Sequence, residues 1–246
     1  MMEKLRLGVF ELTGCGGCSL NVLFLYERLF DLLELYEIGE FRMASSNREE
    51  GRYDVGLISG SVSTQSDLEL LREARNRSDY LIALGTCATH GGVQGGANRT
   101  LKEKLRAVYG YEGNPMRALD SKAVVEYVAV DLAMPGCPYN KEELYQALID
   151  IAKGIDPVRP DYPVCVECKL NEYECVLIKK GLPCLGPITL GGCSAACVRS
   201  GLGCIGCRGP LLGNINPASE YDILREKGYD DEYIRRRFKT FARWGQ

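Results

Sequence analysis

Twelve cysteines carry most of the chemistry this sequence can do. Cys15 and Cys18 bracket two glycines in TGCGGC, Cys87 closes ALGTC, and Cys137 lies in MPGCP. The other eight, Cys165, Cys168, Cys175, Cys184, Cys193, Cys197, Cys204 and Cys207, crowd into one short segment. Cysteines in such number in a reducing compartment usually hold metal. Four thiolates accept either structural zinc or an iron-sulfur cluster, and two residues between ligands let neighbouring sulfurs point at one centre. Four plus eight suggests three four-ligand sites. Gly14, Gly16 and Gly17, with the glycines of THGGVQGG after Cys87, allow unusual backbone angles and bring amides close to sulfur. A bulky anionic cluster needs that room and those donors. A thioredoxin-type redox pair is the alternative for Cys15 and Cys18 alone, but it leaves ten cysteines without a purpose.

Scattered ligands must be gathered by regular elements. The runs LRLGVFEL, DVGLISG, YLIALGT and VVEYVAV read as buried strands, with a weaker one at FRMAS. They alternate with helical stretches near 19–36, 64–78, 99–108 and 140–153. Such alternation gives an α/β fold with a parallel sheet and right-handed crossovers. Ligands of these sheets bind beyond the carboxyl ends of the strands. There the first four cysteines fall, so one sheet edge is expected to gather Cys15, Cys18, Cys87 and Cys137.

The Pro-rich GIDPVRPDYP marks a linker, dividing residues 1–155 from 156–246. Beyond it the spacing is Cys165-x2-Cys168-x6-Cys175-x8-Cys184, then Cys193-x3-Cys197-x6-Cys204-x2-Cys207, which fits two successive sites. With little periodicity and many glycines, this segment is expected to be ordered by metal rather than by an apolar core. A zinc-stabilised interaction module is the alternative for it.

Length and composition allow one full domain plus an appendage. With 33 acidic and 30 basic residues, a net charge of -3, no nucleic-acid or anionic-membrane surface is indicated. MMEKLRLGVF shows neither a secretory nor a twin-arginine pattern, so no export signal is expected. The most apolar stretch, VLFLYERLFDLLELY, is broken by Glu27, Arg28, Asp31 and Glu34, so no membrane span is expected. A cytoplasmic protein is the default.

In this order, TGCGGC, ALGTCATHGG, MPGCP, PVCVEC, CLGP and CIGCRG resemble the electron-transfer small subunit of nickel-iron hydrogenases over nearly the whole chain. The likeness is to the delta subunit of cytoplasmic sulfhydrogenases first, with the gamma subunit of deazaflavin-reducing hydrogenases and the viologen-reducing type next. A related subunit of respiratory complex I has adjacent cysteines at its first site, where two residues separate Cys15 from Cys18. The resemblance implies a flavodoxin-like domain, then a small irregular iron-sulfur domain, with three 4Fe-4S clusters in a line. Cys15, Cys18, Cys87 and Cys137 would hold the proximal one. Cys165, Cys168, Cys175 and Cys184 would hold the distal one, and Cys193, Cys197, Cys204 and Cys207 the medial one. The implied partners are a nickel-iron large subunit, where hydrogen is split, and a further iron-sulfur or flavin subunit that reduces an acceptor. This chain itself would do no bond chemistry.

Three positions depart from relatives. Cys165 stands where many periplasmic forms have histidine, Cys197 where they have proline, and Gly14 where some have a glutamate. The first two fit an all-cysteine cytoplasmic form; the third removes any proton relay there. Lys169, Lys179, Lys180, Arg199 and Arg208 could offset cluster charge or simply be solvated. His90 could line the first site or hydrogen-bond locally. Helix 19–36 is apolar on most faces, which suits burial under its own sheet and a partner. In DDEYIRRRFKTFARW, acids precede bases as a helix dipole prefers, with Ile234, Phe238 and Phe241 on one side to pack on the protein.

Overall fold

The computed structural model describes residues 3–46, 49–96, 100–110, 113, 116–213 and 215–242. These form two compact units, Met1–Pro157 and Val158–Gln246. The first is built on β1 (Leu5–Glu11), β2 (Tyr36–Phe41), β3 (Tyr53–Ser59), β4 (Val62–Thr64), β5 (Ser78–Leu84), β6 (Ala118–Lys122) and β7 (Leu132–Met134). Five of them make one parallel sheet in the order β2-β1-β3-β5-β7. Counted along that sheet alone the order is 2-1-3-4-5, the flavodoxin-like doubly wound arrangement, and it reverses direction at β1 and β3. Strands β4 and β6 pair antiparallel in a small second sheet that the sequence pattern does not predict.

Alternating residues of the central strands face opposite sides. Leu7, Val9, Val55, Leu57, Ile82 and Leu84 pack under α1 (Gly17–Leu23), α2 (Glu27–Leu35) and α7 (Lys141–Ala152) through Val22, Leu32, Leu144 and Leu148. Phe10, Ile58, Leu81 and Ala83 pack on the other face against Leu71 and Ala74 of α3 (Gln65–Arg77) and Ala88 of α4 (Gly85–His90). Thr64 and Asp67 close a capping box at the start of α3, and Asn140 caps α7. Two further helices, α5 (Gly92–Gly96) and α6 (Leu101–Tyr109), follow α4. Residue 99, the expected start of a helix, lies outside the described residues.

Three expected elements are corrected. The stretch 19–36 is two helices, because Tyr26 takes φ 52° between them. That break stacks Phe24 on Tyr26 at 5.6 Å and lets Lys141 donate to the Phe24 carbonyl at 2.9 Å while lying over the Tyr26 ring. The run 124–130 is not a strand. Val124–Glu126 forms a 3-10 turn, closed by Ala123 N donating to Glu126, and the strand is β7. Asp131 sets its start: its amide donates to the Leu81 carbonyl, and its carboxylate accepts from Leu81 N and Arg75. The weak strand at 41–45 is a strand only at Phe41, the last residue of β2, and turns from 42 to 44.

The second unit has α8 (Val164–Leu170), α9 (Val176–Lys179), α10 (Ala196–Arg199), α11 (Pro217–Glu226) and α12 (Asp231–Lys239), joined by long irregular loops. An apolar cluster does form here. Val164, Leu177, Leu185, Ile188 and Val198 surround buried Cys184 and Cys204, and Leu224, Ile234 and Phe238 close it from α11 and α12. Asp230 caps α12 and Arg236, Arg237 and Lys239 end it, as the charge pattern predicts.

Candidate cluster-binding sites

Each of the first four cysteines follows a strand of the parallel sheet. Cys15 precedes α1 and Cys18 lies in its first turn, Cys87 is in α4 directly after β5, and Cys137 follows β7. Gly16, at φ 74°, turns the chain from β1 into α1. The loops are tied together: Thr86 N donates to the Gly136 carbonyl and Gly136 N to Thr86 Oγ1, both at 2.9 Å, and Ser19 bonds Ser59. Burial, followed by the nearby Cys87, Cys137 and Cys15, pushes the Cys18 thiol up to about 12, against a lowering hydrogen bond from the Tyr139 backbone. The same four side chains therefore share one electrostatic neighbourhood. Burial also raises Cys87, with Gln94 lowering it and Cys15 raising it.

Glycine backbone lines these sulfurs. Gly85 has φ 80°, and a Cβ there would overlap the Cys18 sulfur. Gly92 has φ 63°, and its Cβ would lie 2.6 Å from the Cys87 sulfur. Gln94, which sequence reasoning passed over, reaches Cys87 at 3.7 Å and Ser61 at 2.9 Å, joining the edges after β3 and β5. His90 bonds its neighbour Thr89 at 2.7 Å, and burial pulls its imidazole down to about 4.

In the second unit, Cys165 and Cys168 lie in α8, Cys175 caps α9, and Cys184 is buried beyond it. The Cys165 thiol is pushed up to about 12 by burial first, then by Cys184, Cys168 and Cys175. Among the last four, Cys193 is pushed up to about 11 by burial, then by Glu167 and, less, by Cys207. Cys204 feels burial, Cys184 and Cys207. Cys197 sits in the first turn of α10, four residues past Cys193. The two groups meet at Cys184 and Cys204: Cys204 N donates to the Cys184 sulfur at 3.2 Å, and Gly186 lies against both Cys165 and Cys184.

These donor sets fit iron-sulfur clusters. Burial raises the Cys18, Cys87, Cys165, Cys168, Cys184, Cys193 and Cys204 thiols, a penalty that a cationic centre relieves when it displaces their protons. The backbone amides aimed at Cys18, Cys184, Cys193 and Cys204 stabilise sulfur-borne charge. None of the twelve cysteines forms a disulfide. Among the described residues no group of three or more His, Cys, Asp or Glu side chains is arranged to hold a single metal ion.

Residues 15–151 match the family described as NADH ubiquinone oxidoreductase, 20 Kd subunit. Sulfhydrogenase 2 subunit delta of Pyrococcus furiosus is 62% identical over 98% of this chain and 100% of its own. This chain is a nickel-iron hydrogenase small-subunit family member. An F420-non-reducing hydrogenase iron-sulfur subunit of Archaeoglobus profundus is 26% identical over 84% of this chain and 83% of its own. Among solved structures, an NAD+-reducing [NiFe]-hydrogenase chain is 27% identical with TM-score 0.58, covering 64% of this chain and 96% of that one. An actinobacterial-type NiFe-hydrogenase chain from Ralstonia eutropha H16 shares the fold at TM-score 0.62 and 16% identity, over 94% of this chain and 86% of that one.

In this hydrogenase subunit two carboxylic acids escaped sequence reasoning. Glu167, inside CVEC, is buried and bonded to the backbone around Cys193. Glu220 of α11 is also buried; its Oε1 has no hydrogen-bond partner among the described residues, and burial pushes its carboxyl up to about 7. An acid between two cysteines was a legible signal for Glu167. Nothing in the local sequence marks Glu220. Of the five basic candidates, Lys169, Lys179, Lys180 and Arg199 are exposed, while Arg208, beside Cys207, is buried.

Proposed function

We propose that this chain carries electrons between the nickel-iron site of a large subunit and a further iron-sulfur or flavin subunit that reduces an acceptor, using three 4Fe-4S clusters. The observation that supports it is the gathering of Cys15, Cys18, Cys87 and Cys137 at the carboxyl edge of the parallel sheet, within a glycine cradle. Cys165, Cys168, Cys175 and Cys184 would hold a second cluster, and Cys193, Cys197, Cys204 and Cys207 a third. In family terms these are the proximal, distal and medial sites. Each cluster, when bound, supplies a reversible one-electron centre whose potential is set by charge, hydrogen bonding and burial.

The chain's own part is to fix those three settings. Gly85 and Gly92 let backbone approach sulfur where no side chain fits. Amides of Tyr139, Gly186, Ala196 and Gly206 donate to the sulfurs. The apolar walls of Leu185, Ile188 and Val198 exclude water from Cys184 and Cys204. No helix among the described residues is long and apolar enough to cross a membrane.

Anaerobic purification together with its partner subunits tests the proposal. Brown protein with about twelve iron atoms and matching acid-labile sulfide per chain is expected for three four-iron clusters. Colourless protein carrying zinc and no reducible centre would replace this function with that of a zinc-stabilised interaction module.

A further inference from the structure

Glu167 is in the wrong place to be a surface acid. It lies in α8 between Cys165 and Cys168, yet is only 7% exposed. Among the described residues no cation is paired with it. Burying a carboxylate costs several kcal/mol unless hydrogen bonds replace its water. Here they do: Gly192 N donates to Oε1 at 2.7 Å and Ala195 N to Oε2 at 3.0 Å. The Cys193 sulfur lies 3.7 Å from Oε2. Every one of these partners belongs to the loop of the last four cysteines, and none to the group in which Glu167 itself is embedded.

That loop is strained. Gly192, Ser194 and Ala195 all have positive φ, at 103°, 53° and 48°. For Ser194 and Ala195 this is a left-handed conformation that L side chains rarely adopt and that persists only where the surroundings enforce it. The turn converges its amides on one anion, as backbone nests do. It also aims the amide of Ala196 at the Cys193 sulfur and opens α10, which carries Cys197. A buried acid and two strained residues are thus joined for one result, the placing of Cys193 and Cys197.

We propose that Glu167 is a positioning residue that acts across the two cysteine groups: from within the Cys165–Cys168 helix it templates the loop presenting Cys193 and Cys197. This rests on the proposed cluster assignment, and it predicts that changing Glu167 disturbs the neighbouring group, not its own.

The test uses the intact complex, purified anaerobically, with Glu167→Ala, Glu167→Asp, Cys193→Ser and Cys168→Ser compared by iron content, electron paramagnetic resonance and redox titration. Glu167→Ala should lose or alter the same resonance as Cys193→Ser, keep the one altered in Cys168→Ser, and fall by up to about four iron atoms per chain. Glu167→Asp, which keeps both oxygens on a shorter stem, should restore part of the missing resonance with a shifted midpoint. The inference is overturned if Glu167→Ala matches Cys168→Ser, if both resonances fade together, or if nothing changes. Parent protein lacking iron would overturn the cluster assignment as well, so the two failures are told apart by the parent's iron content.

Discussion

At the scale of single residues, Cys197 and Glu220 make opposite kinds of prediction. Cys197 stands in the first turn of α10, where an amide has no intrahelical partner, so proline is tolerated there better than deeper in a helix. Cys197→Pro should remove one iron's only protein thiolate and yield a three-iron cluster. Oxidised variant protein should then show a new three-iron resonance, and an unchanged spectrum would remove Cys197 from the ligand set. Glu220 bears on stability. Its carboxyl is raised by burial from an ordinary 4.5 to about 7. Between those values the folded chain keeps a proton that the unfolded chain has released, so stability falls as pH rises through that window and levels off above it. Glu220→Gln should therefore melt with the parent near pH 4.5 and several degrees above it at pH 8. A melting difference that does not change with pH would show that the carboxyl does not titrate in that window.

At the scale of elements, the sheet edge works because backbone replaces side chain where strands end. Gly85 opens α4 at φ 80° directly against the Cys18 sulfur, so a methyl group there meets both backbone strain and a collision. Gly85→Ala should cost about 1–2 kcal/mol from the backbone alone. It should also leave the first site about four iron atoms short with the other two sites filled. A full iron complement in that variant would mean the edge can relax around sulfur. The break at Tyr26 is the second device of this kind. It divides one apolar stretch into a helix that carries Cys18 and another that packs Leu32 into the core, and between them it leaves Phe24, Tyr26 and Phe30 at 42%, 63% and 71% exposure.

At the scale of the whole molecule, those aromatics and Leu20 are exposed apolar residues on and between α1, which carries Cys18, and α2. Such exposure is more than scattered surface hydrophobes require and suits a permanent subunit interface. Expressed without a large subunit, the chain should aggregate or lose iron. The double change Tyr26→Ser with Phe30→Ser should make the isolated chain more soluble and weaken co-purification of the large subunit by at least tenfold. If the double variant brings down the large subunit as the parent does, another face makes the contact.

The sequence by itself determined the parallel sheet and which cysteines are the candidate ligands, because strand-helix alternation and cysteine spacing are local patterns. Cys15, Cys18 and Cys87 could be placed at strand ends before any coordinates, since β1 and β5 are continuous apolar runs. Cys137 was placed at the right edge through the wrong strand. The apolar run 124–130 has the composition of a strand, but Asp131 bonding both sides of Leu81 starts the pairing seven residues after Val124. Tertiary structure alone decided three further things: the break at Tyr26, the apolar cluster around Cys184 and Cys204, and the reach of Glu167 to the amides of Gly192 and Ala195. Each depends on groups distant in sequence, 25 and 28 residues apart in the case of Glu167. A buried carboxylate is stable only where such distant amides converge on it, and no local pattern records that convergence.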